Sequence, residues 1–510
     1  MRVQQFLSHH GIERNPFAEE DAQTDLVFKE HCIGTTYHPT WDKIYGDPSE
    51  PATAVVFGEK GAGKTALRLQ IARHLAEYNR EHPDRRVYVI QYDDFNPFLD
   101  RFAYRMGGRR RRPERVLPQF QLWDHMDAIL TLGVTDLSDR ILQVGSGESD
   151  ASKAINADRL AKLDRHQRRD LLLLAACYDQ STSDSHVNRW RRLKRAIRFG
   201  TWRAWAGLLL GMVGTGLTLA AAAMWTRAWG NPNPEVNPGL WQQVVAWVVL
   251  GVLIAAWLPW LYRLAMVTWK SWGVARGIRV GNLPFGSLFS VFSQLSGNDL
   301  MGQPLPNKER TDDRYSLMNK LQSILETLGF SGVIVLVDRI DEPHLVNGSA
   351  RLMQMVLWPL LDNKFLKQPG LGVKMMLPVE LSQFIEREDR DFYQRARLDK
   401  QNLIPSLQWS GEALYDVASD RLRACAADGA QPRLRELLDV GVSDQRMIDA
   451  LRSLRVPRHL FRFLYRLLVA HCNAHTEQDP VWRISAETFE SILAVYQGEQ
   501  DAAARGVAVG

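Results

Sequence analysis

Two long uncharged apolar segments constrain the fold of this 510-residue chain more than any other feature. The first runs between Arg203 and Arg227 and the second between Glu235 and Arg263. Each supplies the roughly 20 apolar residues that a helix needs to cross a bilayer. Tryptophan and tyrosine residues stand near the ends of both, as in an interfacial aromatic belt. We therefore predict a transmembrane hairpin with basic flanks at residues 189–270; the alternative is a buried helical hairpin in a soluble core.

The distribution of basic residues predicts the orientation of this hairpin. Seven lysines and arginines lie from Arg189 to Arg203, and four lie from Arg263 to Arg279, whereas the link Ala228–Gly239 has none. The positive-inside rule places both flanks in the cytoplasm. We expect a multi-pass protein of the cell inner membrane, with its N- and C-terminal parts cytoplasmic and with membrane lipid as a partner, the basic run favouring anionic lipid.

Small residues predict close helix packing within these segments. Gly207 and Gly211 form a G-x-x-x-G pair in the first segment, and Gly251 and Ala255 make a similar small face in the second. Such faces let helix backbones approach each other closely. The helix they contact is either the other segment or a second subunit, and the sequence leaves both open.

A glycine-rich loop lies well before the apolar segments. Residues Gly58-Glu59-Lys60-Gly61-Ala62-Gly63-Lys64-Thr65 fit the G-x-x-x-x-G-K-[ST] pattern, after an apolar strand-like run and before a helical pattern that starts at Ala66. The pattern predicts a nucleotide-binding loop over Gly58–Ala66, whose backbone N–H groups face phosphates. Lys64 would reach the β- and γ-phosphates, and Thr65 would bind Mg²⁺. The alternative is a chance glycine-rich turn.

An acidic strand that would complete this site comes only after the apolar segments. Val333–Val337 is a run of β-branched residues and leucine, and Asp338 follows it. We predict Asp338 as the second magnesium ligand, at the carboxyl edge of a parallel sheet. Glu342 is the first candidate to orient an attacking water, and Asp341 is the second. A solvated acidic turn is the alternative. The cofactors implied are ATP and Mg²⁺.

The order of these features predicts the organisation of the chain. A sheet cannot contain a lipid-spanning segment, so the hairpin must leave the nucleotide-binding fold and return to it. We predict an α/β fold with a P-loop NTPase parallel sheet, interrupted by the two-helix hairpin and followed by an α-helical lid. The predicted parts are an N-terminal segment (1–50), the first part of the NTPase domain (51–105), a helical cytoplasmic insertion (106–188), the hairpin (189–270), a helical return segment (271–330), the second part of the NTPase domain (331–405), the lid (406–500) and a flexible tail (501–510).

Charge and cysteine content exclude two other classes of site. The net charge of +5 is too small to imply a specific nucleic-acid partner. The four cysteines are scattered and form no C-x-x-C pair, which indicates reduced thiols and no zinc site.

The layout of glycine-rich loop, membrane insertion and acidic strand resembles the KAP P-loop NTPases, which are related to AAA+ and STAND ATPases. The order Asp338-Arg339-Ile340-Asp341-Glu342 is closer to the NACHT and STAND switches. The C-terminal part resembles AAA+ lids, in which Arg458 would be a sensor-2 arginine. Arg395 and Arg397 stand where AAA+ proteins often keep arginine fingers, which stabilise charge on the transferred phosphoryl group. Ordinary surface arginines are the alternative at all three positions.

Two functional hypotheses follow from the sequence. The first is a membrane-anchored ATPase that hydrolyses ATP to drive a conformational or assembly switch; the resemblance implies a role in bacterial defence or signalling. The second is an ATP-binding membrane scaffold with little turnover that recruits a partner protein. A homo-oligomer or a partner protein is expected in either case.

Overall fold

The computed structural model describes residues 1–107, 112–143, 155–228, 240–388, 392 and 402–504. The chain divides into two compact units. The first comprises residues 1–96, 112–119 and 330–510, and the second comprises residues 97–111 and 120–329. The first unit is mixed α/β and contains a five-stranded parallel sheet; the second is helical and contains the two apolar segments.

The sheet of the first unit brings together strands from both sides of the insertion. Its strands are β1 (Ala54–Gly58), β2 (Arg86–Tyr92), β3 (Phe330–Val337), β4 (Leu371–Pro378) and β5 (Asn402–Ile404). Their order is β2-β3-β4-β1-β5, and every pairing is parallel. The prediction that the strands before the glycine-rich loop and before Asp338 share one parallel sheet is confirmed. Strand β4 lies between them, which the sequence did not indicate.

The strands are buried because they are continuous apolar runs, as expected for a parallel sheet covered on both faces. All residues of β1 and β4 are buried, and so are all residues of β3 except Ser331. The helix Lys64–Glu81 covers one face through Leu67, Ile71 and Leu75. Further helices of this unit before residue 400 are Val3–His9, Trp41–Tyr45, Pro113–Val116, Ala350–Leu357, Asn363–Leu366 and Ser382–Arg387, with short 3₁₀ or π turns at Phe28–Cys32, Leu117–Gln119, Trp358–Leu360 and Val379–Leu381.

The C-terminal helices share a core with the N-terminal segment. The helices are Gly411–Ala424, Asp444–Leu454, Pro457–Ala474 and Ala486–Ala504, with a 3₁₀ turn at Leu434–Leu437. Phe6 and Phe17 are buried in the same cluster as Leu460 and Leu464. The amino group of Met1 donates a hydrogen bond to the carbonyl of Cys472 at 3.1 Å. The first part of the N-terminal segment is therefore part of this helical core, whereas Ile44 is buried in the core of the sheet.

Lys374 is an unusual residue in the middle of β4. Its side chain is 1 % exposed, and its ammonium donates a hydrogen bond to the Tyr45 carbonyl at 3.1 Å. Burial lowers the pKa of Lys374 to about 8. Because the folded chain disfavours the charged ammonium, this lysine reduces the free energy of unfolding at neutral pH.

Lys374→Met is expected to stabilise the fold at pH 7 and to lose that advantage as the pH rises. The pKa shift is equivalent to about 3 kcal/mol, and losing the hydrogen bond to Tyr45 removes about 1 kcal/mol of the gain. Between about pH 8 and pH 10.5 the unfolded lysine holds a proton that the folded one does not, so the wild-type stability rises relative to the variant. Thermal unfolding of both proteins at pH 7 and pH 10 measures this difference. Equal pH dependence would show that Lys374 is solvated.

The second unit is a helical body that contains buried ion pairs. Asp127 and Arg314 are both fully buried and lie 3.0 Å apart, and the Tyr178 hydroxyl donates to Asp127 at 2.7 Å. Asp124 pairs with Arg279. The helices are Asn96–Arg105, which begins in the first unit, Leu122–Leu142, Ala157–Ala161, Arg165–Tyr178, His186–Ala196, Ala206–Ala228, Leu240–Gly277, Phe285–Phe292, Gly297–Leu300 and Thr311–Thr327, with a 3₁₀ turn at Trp202–Trp205.

Two helices of this unit are long and apolar enough to cross a membrane. They are the first apolar helix, Ala206–Ala228, and the second apolar helix, Leu240–Gly277. Most of their side chains are exposed on the protein surface. The second apolar helix continues well past Arg263, where the uncharged segment ends. It passes through Gly273 and ends at Gly277, whose carbonyl accepts a hydrogen bond from Arg314 at 2.9 Å.

The glycine pair of the first apolar helix packs against the second apolar helix. A Cβ built on Gly211 would lie 2.9 Å from the Trp257 ring, and one built on Gly207 would lie 3.5 Å from the Trp260 backbone. The Trp257 indole donates a hydrogen bond to the Thr215 hydroxyl at 2.9 Å. A Cβ built on Gly251 of the second apolar helix would meet no atom of another helix within 4 Å among the described residues. The sequence left open whether the Gly207–Gly211 face contacts the other apolar helix or a second subunit. In the structure it contacts the other apolar helix.

Candidate functional site

The candidate site lies at the carboxyl edge of the parallel sheet. Gly58 is the last residue of β1, and Asp338 follows the last residue of β3. The Asp338 amide is 3.4 Å from the Tyr92 carbonyl at the end of β2. Because parallel strands end at the same edge, the loops that follow β1, β2 and β3 converge there.

The glycine-rich loop Gly58–Thr65 curls around the start of the helix Lys64–Glu81. Gly61 and Gly63 have φ angles of +94° and +92°, which L side chains rarely adopt. The Lys64 ammonium donates hydrogen bonds to the carbonyls of Gly58 at 2.7 Å and Glu59 at 3.0 Å. Burial lowers the pKa of Lys64, and the nearby carboxylates Asp341, Asp338 and Glu380 oppose that shift. The loop therefore combines helix N-terminal amides with a partly desolvated cation.

Thr65 and Asp338 meet although 273 residues separate them in the chain. The Thr65 hydroxyl donates a hydrogen bond to Asp338 Oδ2 at 3.0 Å. Asp338 is 2 % exposed, and burial raises the pKa of its carboxyl group. A cation bound to this carboxylate would offset the cost of burying its charge. The Thr65 hydroxyl oxygen and Asp338 Oδ2 are close enough to bind the same cation. Two protein oxygen ligands beside a loop of backbone amides fit a magnesium ion that keeps several water ligands. Among the described residues, no group of three or more His, Cys, Asp or Glu is arranged to hold a metal by itself.

Asp341 and Glu342 line the same cavity as Lys64 and Asp338. Glu342 is exposed and its Oε2 lies 3.4 Å from a guanidinium nitrogen of Arg339. Partial desolvation in the cavity raises the pKa of the Glu342 carboxyl group, and the Arg339 guanidinium opposes the shift. Arg339 itself has a φ angle of +61°, so the chain turns sharply after Asp338. Both candidates for a water-orienting carboxylate thus stand beside the predicted metal ligand.

Arg458 approaches the glycine-rich loop from the C-terminal helices. Its backbone N–H is 3.3 Å from the Gly61 carbonyl, and a Cβ built on Gly61 would lie 2.5 Å from the Arg458 Cβ. The Arg458 guanidinium lies 3.7 Å from Glu20, which also pairs with Arg462 at 2.6 Å. Arg395 and Arg397, the predicted arginine fingers, lie outside the described residues.

Trp409 is a contact of the loop that sequence reasoning missed. Its indole donates a hydrogen bond to the Ala62 carbonyl at 2.9 Å, and its ring meets His38 edge-on. His38 in turn bonds the Gln408 carbonyl at 2.8 Å. No local pattern in the sequence distinguishes Trp409 from the other fifteen tryptophans.

The cavity extends away from the loop between the N-terminal segment and the C-terminal helices. Asp25 and Arg421 form a buried ion pair at 2.6 Å in its wall. Gln70 donates to the Thr36 carbonyl at 2.9 Å. The wall also contains apolar side chains, namely Phe28, Cys32, Leu407, Val417 and Phe461. The cavity therefore offers both a polar and an apolar lining.

Comparisons with family models, with curated proteins and with solved structures find no match to this chain.

Proposed function

We propose that this chain is a membrane-anchored ATPase of the KAP-like P-loop type, which binds Mg–ATP at the glycine-rich loop. The observation that carries the proposal is the 3.0 Å contact between Thr65 and Asp338 beside that loop. A buried carboxylate and a hydroxyl at the start of a helix are the two protein oxygens that such a site uses for Mg²⁺. A chance glycine-rich turn would give no reason for them to meet.

The loop residues would hold the phosphates. The hydrogen bonds that Lys64 makes to the Gly58 and Glu59 carbonyls would be exchanged for bonds to phosphate oxygens. The backbone amides at the helix start point in the direction that favours an anion. Mg²⁺ would neutralise charge on the phosphate oxygens.

The apolar part of the cavity would hold the base. Phe28, Val417 and Phe461 offer apolar contacts to a flat heterocycle. The Arg421 guanidinium lies 4.3 Å from the centre of the Phe461 ring, which fixes that ring. Because Phe28 belongs to the N-terminal segment and Val417 to the C-terminal helices, a bound nucleotide would link these two parts of the first unit.

Glu342 would orient the attacking water. It lines the cavity beside Asp338, and a raised carboxyl pKa suits a group that accepts a proton. Asp341 is the carboxylate whose charge acts most strongly on Lys64, which favours a role in placing the lysine. Arg458, held against Gly61, would report the state of the phosphates to the C-terminal helices.

Glu342→Gln is expected to slow ATP hydrolysis about 100-fold while ATP affinity is retained, because the water-orienting contact forms only in the transition state. Steady-state turnover and binding of a fluorescent ATP analogue, both with purified full-length protein, measure the two effects. Glu386→Gln removes an exposed glutamate that does not line the cavity and is the matched control. If turnover is unchanged in Glu342→Gln but lost in Asp341→Asn, Asp341 and not Glu342 is the carboxylate that orients the attacking water.

The apolar helices would anchor this ATPase in the bilayer as a hairpin. Their exposed leucine, valine and tryptophan side chains suit lipid contact, and the hairpin contact through Gly211 and Trp257 leaves those side chains outward. Turnover of ATP would then drive a conformational or assembly switch at the membrane. Tight ATP binding with negligible turnover in the wild type would favour a scaffold instead.

A further inference from the structure

Arg68 is a buried cation between two carboxylates of the candidate site. It lies one turn after Thr65 on the helix Lys64–Glu81, and its side chain is 1 % exposed. One terminal nitrogen is 2.6 Å from Asp93 Oδ2 and 3.2 Å from Gln91 Oε1. Its Nε is 3.3 Å from Asp338 Oδ2. The guanidinium is therefore shared between the loop after β2 and the predicted magnesium ligand.

The two contacts of Arg68 are unequal. The contact to Asp93 is short, whereas Arg68 Nε makes no hydrogen bond of good geometry among the described residues. Arginine binds carboxylates most strongly through two parallel N–H···O bonds. Within the described residues, the contact to Asp338 is a single approach of Nε at 3.3 Å, whereas Asp93 and Gln91 both engage a terminal nitrogen.

Gln91 and Asp93 can act together at the end of β2. Gln91 lies in β2 and Asp93 directly follows the strand, and both side chains approach the same terminal nitrogen of Arg68. The Tyr92 carbonyl between them accepts from the Asp338 amide, which keeps the ends of β2 and β3 in register. Asp93, Arg68 and Asp338 thus form a fixed row across the carboxyl edge of the sheet.

A cation at Asp338 would compete with Arg68 for the same oxygen. Oδ2 is the atom that both Thr65 and Arg68 approach. If the Arg68 guanidinium pairs fully with this oxygen, it neutralises the Asp338 charge, and the carboxylate attracts a metal ion less strongly. If Asp93 holds the guanidinium away from Asp338, the carboxylate charge remains available to bind a metal ion.

We propose that Asp93 is a positioning residue that holds Arg68 away from full pairing with Asp338 and thereby sets the divalent-cation affinity of the site. The inference rests on the proposed function, since it takes Asp338 as a ligand of Mg²⁺. It goes beyond that function because it gives roles to Asp93 and Arg68, which belong neither to the glycine-rich loop nor to the predicted magnesium ligands Thr65 and Asp338.

The test is Asp93→Asn in the full-length protein, with Mn²⁺ as the probe and ATP present. Outer-shell changes of this kind alter metal affinity about 10- to 100-fold, so we expect Mn²⁺ affinity, measured by electron paramagnetic resonance, to fall by at least about 10-fold. Binding of a fluorescent ATP analogue in the presence of a chelator should not change, because Asp93 lies off the phosphate loop.

Two further variants separate positioning from a structural role. In the double variant Asp93→Asn, Arg68→Gln, the competing guanidinium is absent, so Mn²⁺ affinity should recover. If Asp93→Asn acted only by disturbing the structure, the second substitution would not restore Mn²⁺ affinity. Asp93→Glu keeps the charge and should bind Mn²⁺ more tightly than Asp93→Asn. Asp94→Asn is the matched control, because its carboxylate accepts from Asn96 at 3.0 Å instead of holding Arg68.

Three results would overturn the inference. These are wild-type Mn²⁺ affinity in folded Asp93→Asn, an equal loss in Asp94→Asn, and no recovery in the double variant. Failure of the proposed function would give a different result. The wild-type protein would then bind neither the ATP analogue in the presence of chelator nor Mn²⁺ in the presence of ATP, and both proposals would be overturned.

Discussion

Lys64→Ala is expected to weaken nucleotide binding strongly while leaving the fold intact. Charge-assisted hydrogen bonds to phosphate contribute up to about 3 kcal/mol, equivalent to roughly 100-fold in affinity, and hydrolysis should fall below detection. The fold should survive because the loop keeps its other contacts, from Trp409 to Ala62 and from Arg458 to Gly61. Fluorescent-analogue titration and thermal unfolding of the same preparation measure the two effects.

Lys43→Ala is the control for this experiment. Lys43 is an exposed lysine of the same unit that does not line the cavity, so its removal changes the net charge equally without removing the ammonium that bonds the Gly58 carbonyl. Equal losses in both variants would indicate a general effect of charge. Wild-type affinity and turnover in Lys64→Ala would contradict the assignment of the loop as the phosphate site.

The hairpin predicts an all-or-none pattern of thiol labelling in intact cells. A cysteine at Asn233, in the link Ala228–Gly239, should react fully with a membrane-impermeant thiol reagent. Residues 229–239 lie outside the described residues, so the expectation rests on the two apolar helices and their basic flanks. Cysteines at Arg195 and Arg276 should react only after the membrane is permeabilised.

The structure makes this labelling experiment easier to interpret. Arg195 and Arg276 are exposed, so a lack of reaction cannot be attributed to burial, as it could at the fully buried Arg189. The four native cysteines are all buried, which keeps the background low. Labelling of all three positions in intact cells, or of the flanks alone, would overturn the hairpin topology and the reading of the two sequence halves as one cytoplasmic ATPase.

Local sequence patterns were sufficient to predict the strands before the glycine-rich loop and before Asp338, the loop itself and the two apolar helices. The run Ala54–Phe57 and the run Val333–Val337 are apolar throughout, and both became buried parallel strands because only the interior of a covered sheet accommodates such runs. The uncharged segments became long exposed helices because a helix satisfies its own backbone hydrogen bonds. Residue types and short spacings decide these features, and both are visible in the sequence.

Most of the predicted site residues came together because their positions depend on strand ends; Arg458, at the start of a helix, also lies against the loop. Thr65 and Asp338 each follow a buried strand, so a shared parallel sheet was enough to expect them at one edge. Arg68 follows the loop by one helical turn, but an arginine in a helix is usually a surface residue. Nothing nearby in the sequence indicates that Asp93 and Asp338 enclose it.

The sequence by itself determined that this chain has a glycine-rich loop between a strand and a helix, an acidic strand and two helices able to cross a membrane. The tertiary structure alone decided that β4 separates β1 from β3, that Arg68 lies between Asp93 and Asp338, and that Glu20 and Trp409 reach the loop region. The physical reason is the range of the interactions. Burial patterns repeat over a few residues, whereas side-chain contacts across a sheet edge depend on how segments hundreds of residues apart pack together.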